Sequence, residues 1–407
     1  MSATSIEAGS NSVVRNSLVK LTKGAGLIVG IYLILYALYV YQQPRALSAS
    51  AIAALINNTA PLALAAMGQT LVVVSRGFDL SVAGVISLCN VVLAVYPLGG
   101  PGGALVSMLI CVAIGASVGA VNGWLVAVLR MQSIAATLAT MIICQGIALV
   151  ILKAPGGAVS NWIADELTDR LWKTIPVSGL VVAAVVGIWL LLRRTDFGLS
   201  LYAIGADEQA AKLSGVNTTR VRFTTFVLAG AVYGLAGLML SAQTATGNPT
   251  SGTPLLLLSF AAVALGGTSL AGGGGGLFAS VMGAATLMLL QKVLFSSGVS
   301  SFYTGMFQGM TLILAVVFSG LLTRLGERKR SWPKMSDKTR TLRSRAIRAQ
   351  APGSAVRPSV LRRLQSCAWY CCSEHGSSAR RSGRGRRSRP SWFSGSSSSF
   401  CHSGKGL

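Results

Sequence analysis

Ten apolar runs follow one another, at 25–41, 51–74, 80–98, 103–129, 134–152, 177–193, 221–242, 256–269, 275–296 and 303–322. No other feature restricts the fold as much. A membrane-spanning helix needs about 20 predominantly apolar residues, and backbone amides and carbonyls inside hydrocarbon must pair within their own segment. The runs lack the alternation of a membrane β-barrel. The expected fold class is therefore all-α: a polytopic membrane helix bundle of about ten transmembrane helices. The fourth run is long and the eighth short, which predicts a tilted span and a broken helix.

Residues 1–24 form a polar segment with Arg15, Lys20 and Lys23 ahead of the first run. That run has 17 residues, longer than a signal-peptide core of about 7–15. An uncleaved first span is expected rather than a leader ending near Ala46-Leu47-Ser48. Lys and Arg in short loops set orientation. With the N-terminus in the cytoplasm, Arg15, Lys20, Lys23, Arg76, Arg130, Arg193, Arg194, Lys212, Arg220 and Arg222 fall inside. Arg45, Lys153, Arg170, Lys173 and Lys292 fall outside. The majority favours this orientation, and an even number of spans places the C-terminus in the cytoplasm as well.

The formal charge of +24 would suggest nucleic acid in a soluble protein. Here it is split: residues 1–322 hold 15 Lys and Arg against 8 Asp and Glu, and residues 323–407 hold 20 against 3. The division expected is a cytoplasmic segment 1–24, a transmembrane body 25–322 and a basic, disordered cytoplasmic tail 323–407. Nucleic acid is not an expected partner. Two readings of the tail stand: an out-of-frame extension, or a native segment binding anionic membrane lipid.

Much chemistry is missing from the body. There is no G-x-x-x-x-G-K-[ST] phosphate loop, and both histidines lie in the tail. Cys89, Cys111 and Cys144 sit inside runs, where a thiol acts as a small hydrophobe. Cys367, Cys371, Cys372 and Cys401 match no familiar zinc spacing. No catalytic residue, metal site or cofactor is expected. Acidic groups within the runs, the usual ion relays, are nearly absent.

The candidate residues are polar groups that must avoid lipid. Asn57, Asn58, Asn90, Asn122, Thr137 and Thr140 lie inside runs, either bonding between helices or lining a pathway for a hydroxylated, uncharged solute. Asp79, in Gly77-Phe78-Asp79-Leu80-Ser81-Val82, is either a helix cap beside a turn made by Gly77 or a gate element. Gly115, Gly119 and Gly123, with Gly230 and Gly234, mark close helix contacts. In the longest inside loop, Asp207 to Gly215 reads as a short helix closed by glycine, with Glu208 near its start. Such a helix on a cytoplasmic loop is a natural docking piece for a soluble partner.

Four segments resemble the permease subunit of bacterial ABC importers for simple sugars of the ribose/xylose/galactose type. Gly77 to Val82 is similar to that family's G-I-D-L-S-V. Asn122-Gly123 with Thr137-Leu138-Ala139-Thr140-Met141 resembles N-G…T-L-G-T-M. Tyr202-Ala203-Ile204-Gly205 through Gly215-Val216 resembles its coupling loop, and Ala261 to Leu270 its A-A-V-x-L-G-G-T-S-L. Phe78 stands where the family usually has Ile, Arg76 where it usually has Gly, and Leu256-Leu257-Leu258-Ser259 where an acid is common. The resemblance implies a second permease subunit in a homodimer, a cytoplasmic ABC ATPase and a periplasmic solute-binding protein. It places Glu208, Ala210, Ala211 and Gly215 at the ATPase contact. A self-contained secondary transporter of a small neutral solute is the alternative, and it requires ionisable groups at the midplane.

Overall fold

The computed structural model describes residues 26, 28–171 and 175–298 and a few positions between 303 and 313. Segment 1–24, most of the tenth run and the tail lie outside the described residues. What is described is almost wholly helical. The helices are α1 (Ile28–Gln42), α2 (Ala49–Val74), α3 (Val82–Val95), α4 (Gly100–Gly123), α5 (Ser133–Ile151) and α6 (Asn161–Thr168). They continue as α7 (Val177–Leu192), α8 (Asp196–Ala206), α9 (Glu208–Leu213), α10 (Thr218–Thr244), α11 (Thr253–Leu265) and α12 (Leu277–Ser296). A two-residue pairing of Arg170–Leu171 with Ile175–Pro176 closes the loop after α6.

Among the described residues, five helices are long and apolar enough to cross a membrane, or six if α7 and α8 count as one bent span. The first, third and eighth runs are the shorter apolar helices α1, α3 and α11. Thus the long fourth run continues from α4 into a π turn, Trp124–Val128. The eighth run is a helix of 13 residues, α11, ending at Gly266 and Gly267. Below α7, the chain turns by 83° into α8, which the apolar-run reading does not separate from the loop.

Helix α10 packs against α4, α2 and α3, and α12 packs against α2 and α11. The glycine rows bring α4 and α10 to backbone contact. A Cβ on Gly115 would stand 2.0 Å from the Gly230 carbonyl oxygen, and one on Gly234 2.1 Å from that of Cys111. Small residues permit this approach, which supplies the packing that lipid cannot drive by hydrophobicity. The inner surface is filled by Met67, Ile86, Phe226 and Tyr233, all fully buried. The Tyr233 hydroxyl donates to Gln69 Oε1 at 3.0 Å. By contrast, Leu105, Leu109, Ile142, Ile143 and Val150 on α4 and α5 are exposed, as expected of side chains that meet lipid tails.

Candidate functional site

Four of the candidate residues converge where α3, α4 and α5 meet. Asp79 Oδ1 accepts from the Ser81 amide at 2.9 Å and the Ser81 hydroxyl at 2.6 Å. The Ser81 oxygen accepts in turn from Asn122 Nδ2 at 2.9 Å, and Asn122 Oδ1 accepts from the Thr140 hydroxyl at 2.8 Å. Thr137 Oγ1 accepts from the Leu80 amide at 3.0 Å. Asp79, Asn122 and Thr137 are fully buried. Asp79 Oδ2 has no hydrogen-bond partner among the described residues. Asp79 lies in the connection between α2 and α3, outside the helices. Burial pushes its carboxyl up to about 6, against the lowering effect of the two Ser81 bonds. The carboxylate thus makes a local turn to Ser81, the residue before α3, rather than capping the first amides of that helix.

The turn itself differs from expectation. Arg76, not Gly77, takes the left-handed conformation, at φ 63°. Arg76 N–H donates to the Val73 carbonyl and Gly77 N–H to the Val72 carbonyl, the pair of bonds that closes a helix in a Schellman motif. This explains why the resembling family favours Gly where Arg76 stands. Gly77 is needed for space instead, since a Cβ there would lie 2.8 Å from Val72. The Arg76 side chain crosses to the end of α8, where Nε donates to the Gly205 carbonyl at 2.7 Å and Nη2 to that of Ala206 at 2.6 Å.

The other three candidates lie at the opposite ends of their helices. Asn57 Nδ2 donates to the Thr168 carbonyl at 2.6 Å, and its Oδ1 accepts from the Ser178 hydroxyl at 2.5 Å, tying α2 to α6 and α7. Asn90 is fully buried. Its Nδ2 donates to the Ser241 hydroxyl and the Thr246 carbonyl, and its Oδ1 accepts from the Asn248 amide and Ser251 hydroxyl. That amide ties α3 both to α10, through Ser241, and to the α10–α11 connection. Asn58 pairs with Gln243 and lines a cavity of about 430 Å³ with Gln291, Lys292, Met288 and Phe295. Gln243, Gln291 and Lys292 were not singled out as site residues from the sequence. Their signal is that they are polar side chains in or beside apolar runs, as Asn58 is.

The loop helix is built as its sequence directs. Asp207 is the N-cap of α9, its Oδ1 accepting from the amides of Gln209 and Ala210 at 2.9 and 3.1 Å. At the far end, Gly215 has φ 87°. Its N–H donates to the Lys212 carbonyl and that of Val216 to the Ala211 carbonyl, a second Schellman motif. Glu208 pairs with Arg222 of α10 at 2.8 Å. Ala211 is buried against the bundle, Ala210 is exposed, and Leu213 is 90% exposed. Leu213 thus projects outward from a helix whose two ends are both fixed.

Residues 51–316 match the family described as branched-chain amino acid transport system / permease component. The ribose import permease protein RbsC of Escherichia coli (strain K12) is 34% identical over 270 residues, which are 65% of this chain and 83% of that protein. RbsC of Bacillus subtilis (strain 168) is 34% identical over 266 residues, 65% of this chain and 82% of its own length. The autoinducer 2 import system permease protein LsrC of Yersinia enterocolitica is 32% identical over 271 residues, 66% and 74% respectively. No solved structure matches the chain. The matched span takes in both the α3–α4–α5 junction and α9, and the chain belongs to this family of inner-membrane transport permease components.

Proposed function

We propose that the chain is the transmembrane permease subunit of an ATP-driven importer, forming the pathway for a monosaccharide or similar polar solute. The names of its relatives support the solute class. In this reading ten spans place both termini in the cytoplasm, and residues 25–322 form the permease body. Two copies pair around the pathway, a periplasmic solute-binding protein delivers solute, and an ABC ATPase docks on α9. Asn58 lines the outer mouth, while Asp79, Asn122, Thr137 and Thr140 brace the inner end. Asn57 and Asn90 hold the helices that flank the mouth.

The observation that carries this reading is α9: a helix capped at both ends that presents Leu213 outward. The chain has no phosphate loop of its own, so ATP energy has to enter through a partner at such a surface. Gly215→Val forces a β-branched side chain into the left-handed region, at a cost of about 1–2 kcal/mol, and tilts α9. Uptake and co-purification of the ATPase should fall while membrane abundance stays near normal. Leu213→Asp should do the same without touching the cap. Glu208→Lys sets a cation against Arg222 and should weaken ATPase association more than Glu208→Gln does. Full uptake and co-purification with both Gly215→Val and Leu213→Asp would make α9 a simple connector.

A further inference from the structure

At the end of the bundle that carries α9, a cavity of about 350 Å³ opens between the α2–α3 connection, the π turn, the α4–α5 connection, α9 and the start of α10. Its wall holds Arg76, Arg130, Lys212 and Arg222, and Glu208 is the one acid among the lining residues. Glu208 is already committed to Arg222. Arg130 and Lys212 have no acidic partner among the described residues. Arg76 is fixed by its two bonds to α8, which leave Nη1 uncommitted. Thr218 and Thr219, the first residues of the 27-residue α10, also line the cavity. They bring first-turn amides and the positive end of a long helix to the same wall. With Glu208 paired to Arg222, Arg76, Arg130 and Lys212 around so small a space repel one another unless a further anion lies between them.

The π turn, the α4–α5 connection and the start of α5, which supply part of this wall, also carry exposed apolar side chains. Trp124, Leu129, Met131 and Ile134 are between 42% and 49% exposed, and Met131 is itself part of the cavity wall. A soluble phosphate would use the cations and leave this strip unmatched. A phospholipid uses both.

We propose that the cavity binds the phosphate-bearing headgroup of an anionic phospholipid, whose acyl chains lie along Trp124, Leu129, Met131 and Ile134. Its phosphate accepts from Arg130, Lys212 and the uncommitted Nη1 of Arg76. Because Lys212 belongs to α9 and Arg130 to the α4–α5 connection, the bound lipid links the exposed loop helix to the body of the bundle. The inference needs only the membrane location of the chain and does not depend on which solute it carries.

The test uses the full chain in nanodiscs holding phosphatidylcholine and phosphatidylglycerol in equal amounts, with retained lipid counted by native mass spectrometry. Wild type should retain phosphatidylglycerol selectively. Removing two cations with Arg130→Gln and Lys212→Gln should weaken retention by about thirtyfold, while Arg220→Gln, which does not line the cavity, should leave it unchanged. Millimolar inorganic phosphate should not displace the lipid. Equal retention of both lipids by wild type, or unchanged selectivity in the double variant, would overturn the proposal. Displacement by inorganic phosphate would assign the site to a soluble anion instead. If the double variant lost ATPase co-purification but no lipid, the cavity would hold an acidic side chain of that partner, and the lipid assignment would be wrong.

Discussion

Arg76 holds a backbone conformation that costs a non-glycine residue about 1–2 kcal/mol, and its side chain makes two bonds to the carbonyls that end α8. The two effects separate by mutation. Arg76→Ala keeps the strain and loses the bonds; Arg76→Gly loses the bonds and the strain together. Thermal unfolding of the purified chain should therefore rank wild type above Arg76→Gly and Arg76→Gly above Arg76→Ala. Equal stability of the Gly and Ala variants would mean that the left-handed turn is not strained. Asp79 gives a second residue-scale expectation. Its folded carboxyl is raised from 3.8 to about 6, so the folded state holds a proton that the unfolded chain has released. Stability should be greatest below pH 4 and fall as pH rises through 6. Asp79→Asn, which cannot ionise, should flatten that slope and raise the melting temperature at pH 8. A variant less stable than wild type at pH 8 would show that the carboxylate is held ionised.

Among the elements, the crossing of α4 and α10 is the most exacting. Gly115 has a carbonyl oxygen 2.0 Å from where its Cβ would be, whereas Gly146 on α5 has nothing within 4 Å. Gly115→Ala should push the helices apart and sharply lower the yield of folded protein. Gly146→Ala should be neutral or stabilising by about 0.5–1 kcal/mol. Comparable losses for both would remove close packing as the reason for the glycine row. That row was legible because four-residue spacing of small residues has one physical use in a bundle. So were α9, from Asp207 and Gly215, and the short α11. The 83° break before α8 was not legible: Phe197, Leu201 and Ile204 read as loop because the segment is far shorter than a span. Nor was the convergence of Asp79, Asn122, Thr137 and Thr140, which depends on three helices meeting and which no local pattern encodes. Arg76 hid its role because Gly77 beside it was the obvious residue for the turn.

At the scale of the whole molecule, orientation and energy source each lead to a measurable expectation. With the three buried cysteines and those of the tail replaced by Ser, single cysteines at Gln209 and Glu166 should label from opposite sides of the membrane with an impermeant reagent. Labelling of both from one side would overturn the alternating topology. The chain alone, without a phosphate loop, should bind no ATP at micromolar concentration by equilibrium dialysis. Saturable binding there would require a nucleotide site unlike any in the sequence.

The π turn at Trp124–Val128 has a consequence for how α4 hands the chain on to the α4–α5 connection. One extra residue is wound into that turn without a matching gain in α-helical rotation. Each α-helical residue advances the chain by about 100°, so the insertion works as an angular offset between Asn122, which lies before it in α4, and Leu129, where the α4–α5 connection begins. Delete one residue from the turn and the helix can wind regularly again, but the connection then leaves α4 at another angle and Arg130, which lines the cavity beside it, is displaced. The turn therefore sets the direction in which the chain leaves α4, and with it whether Arg130 joins the cationic wall.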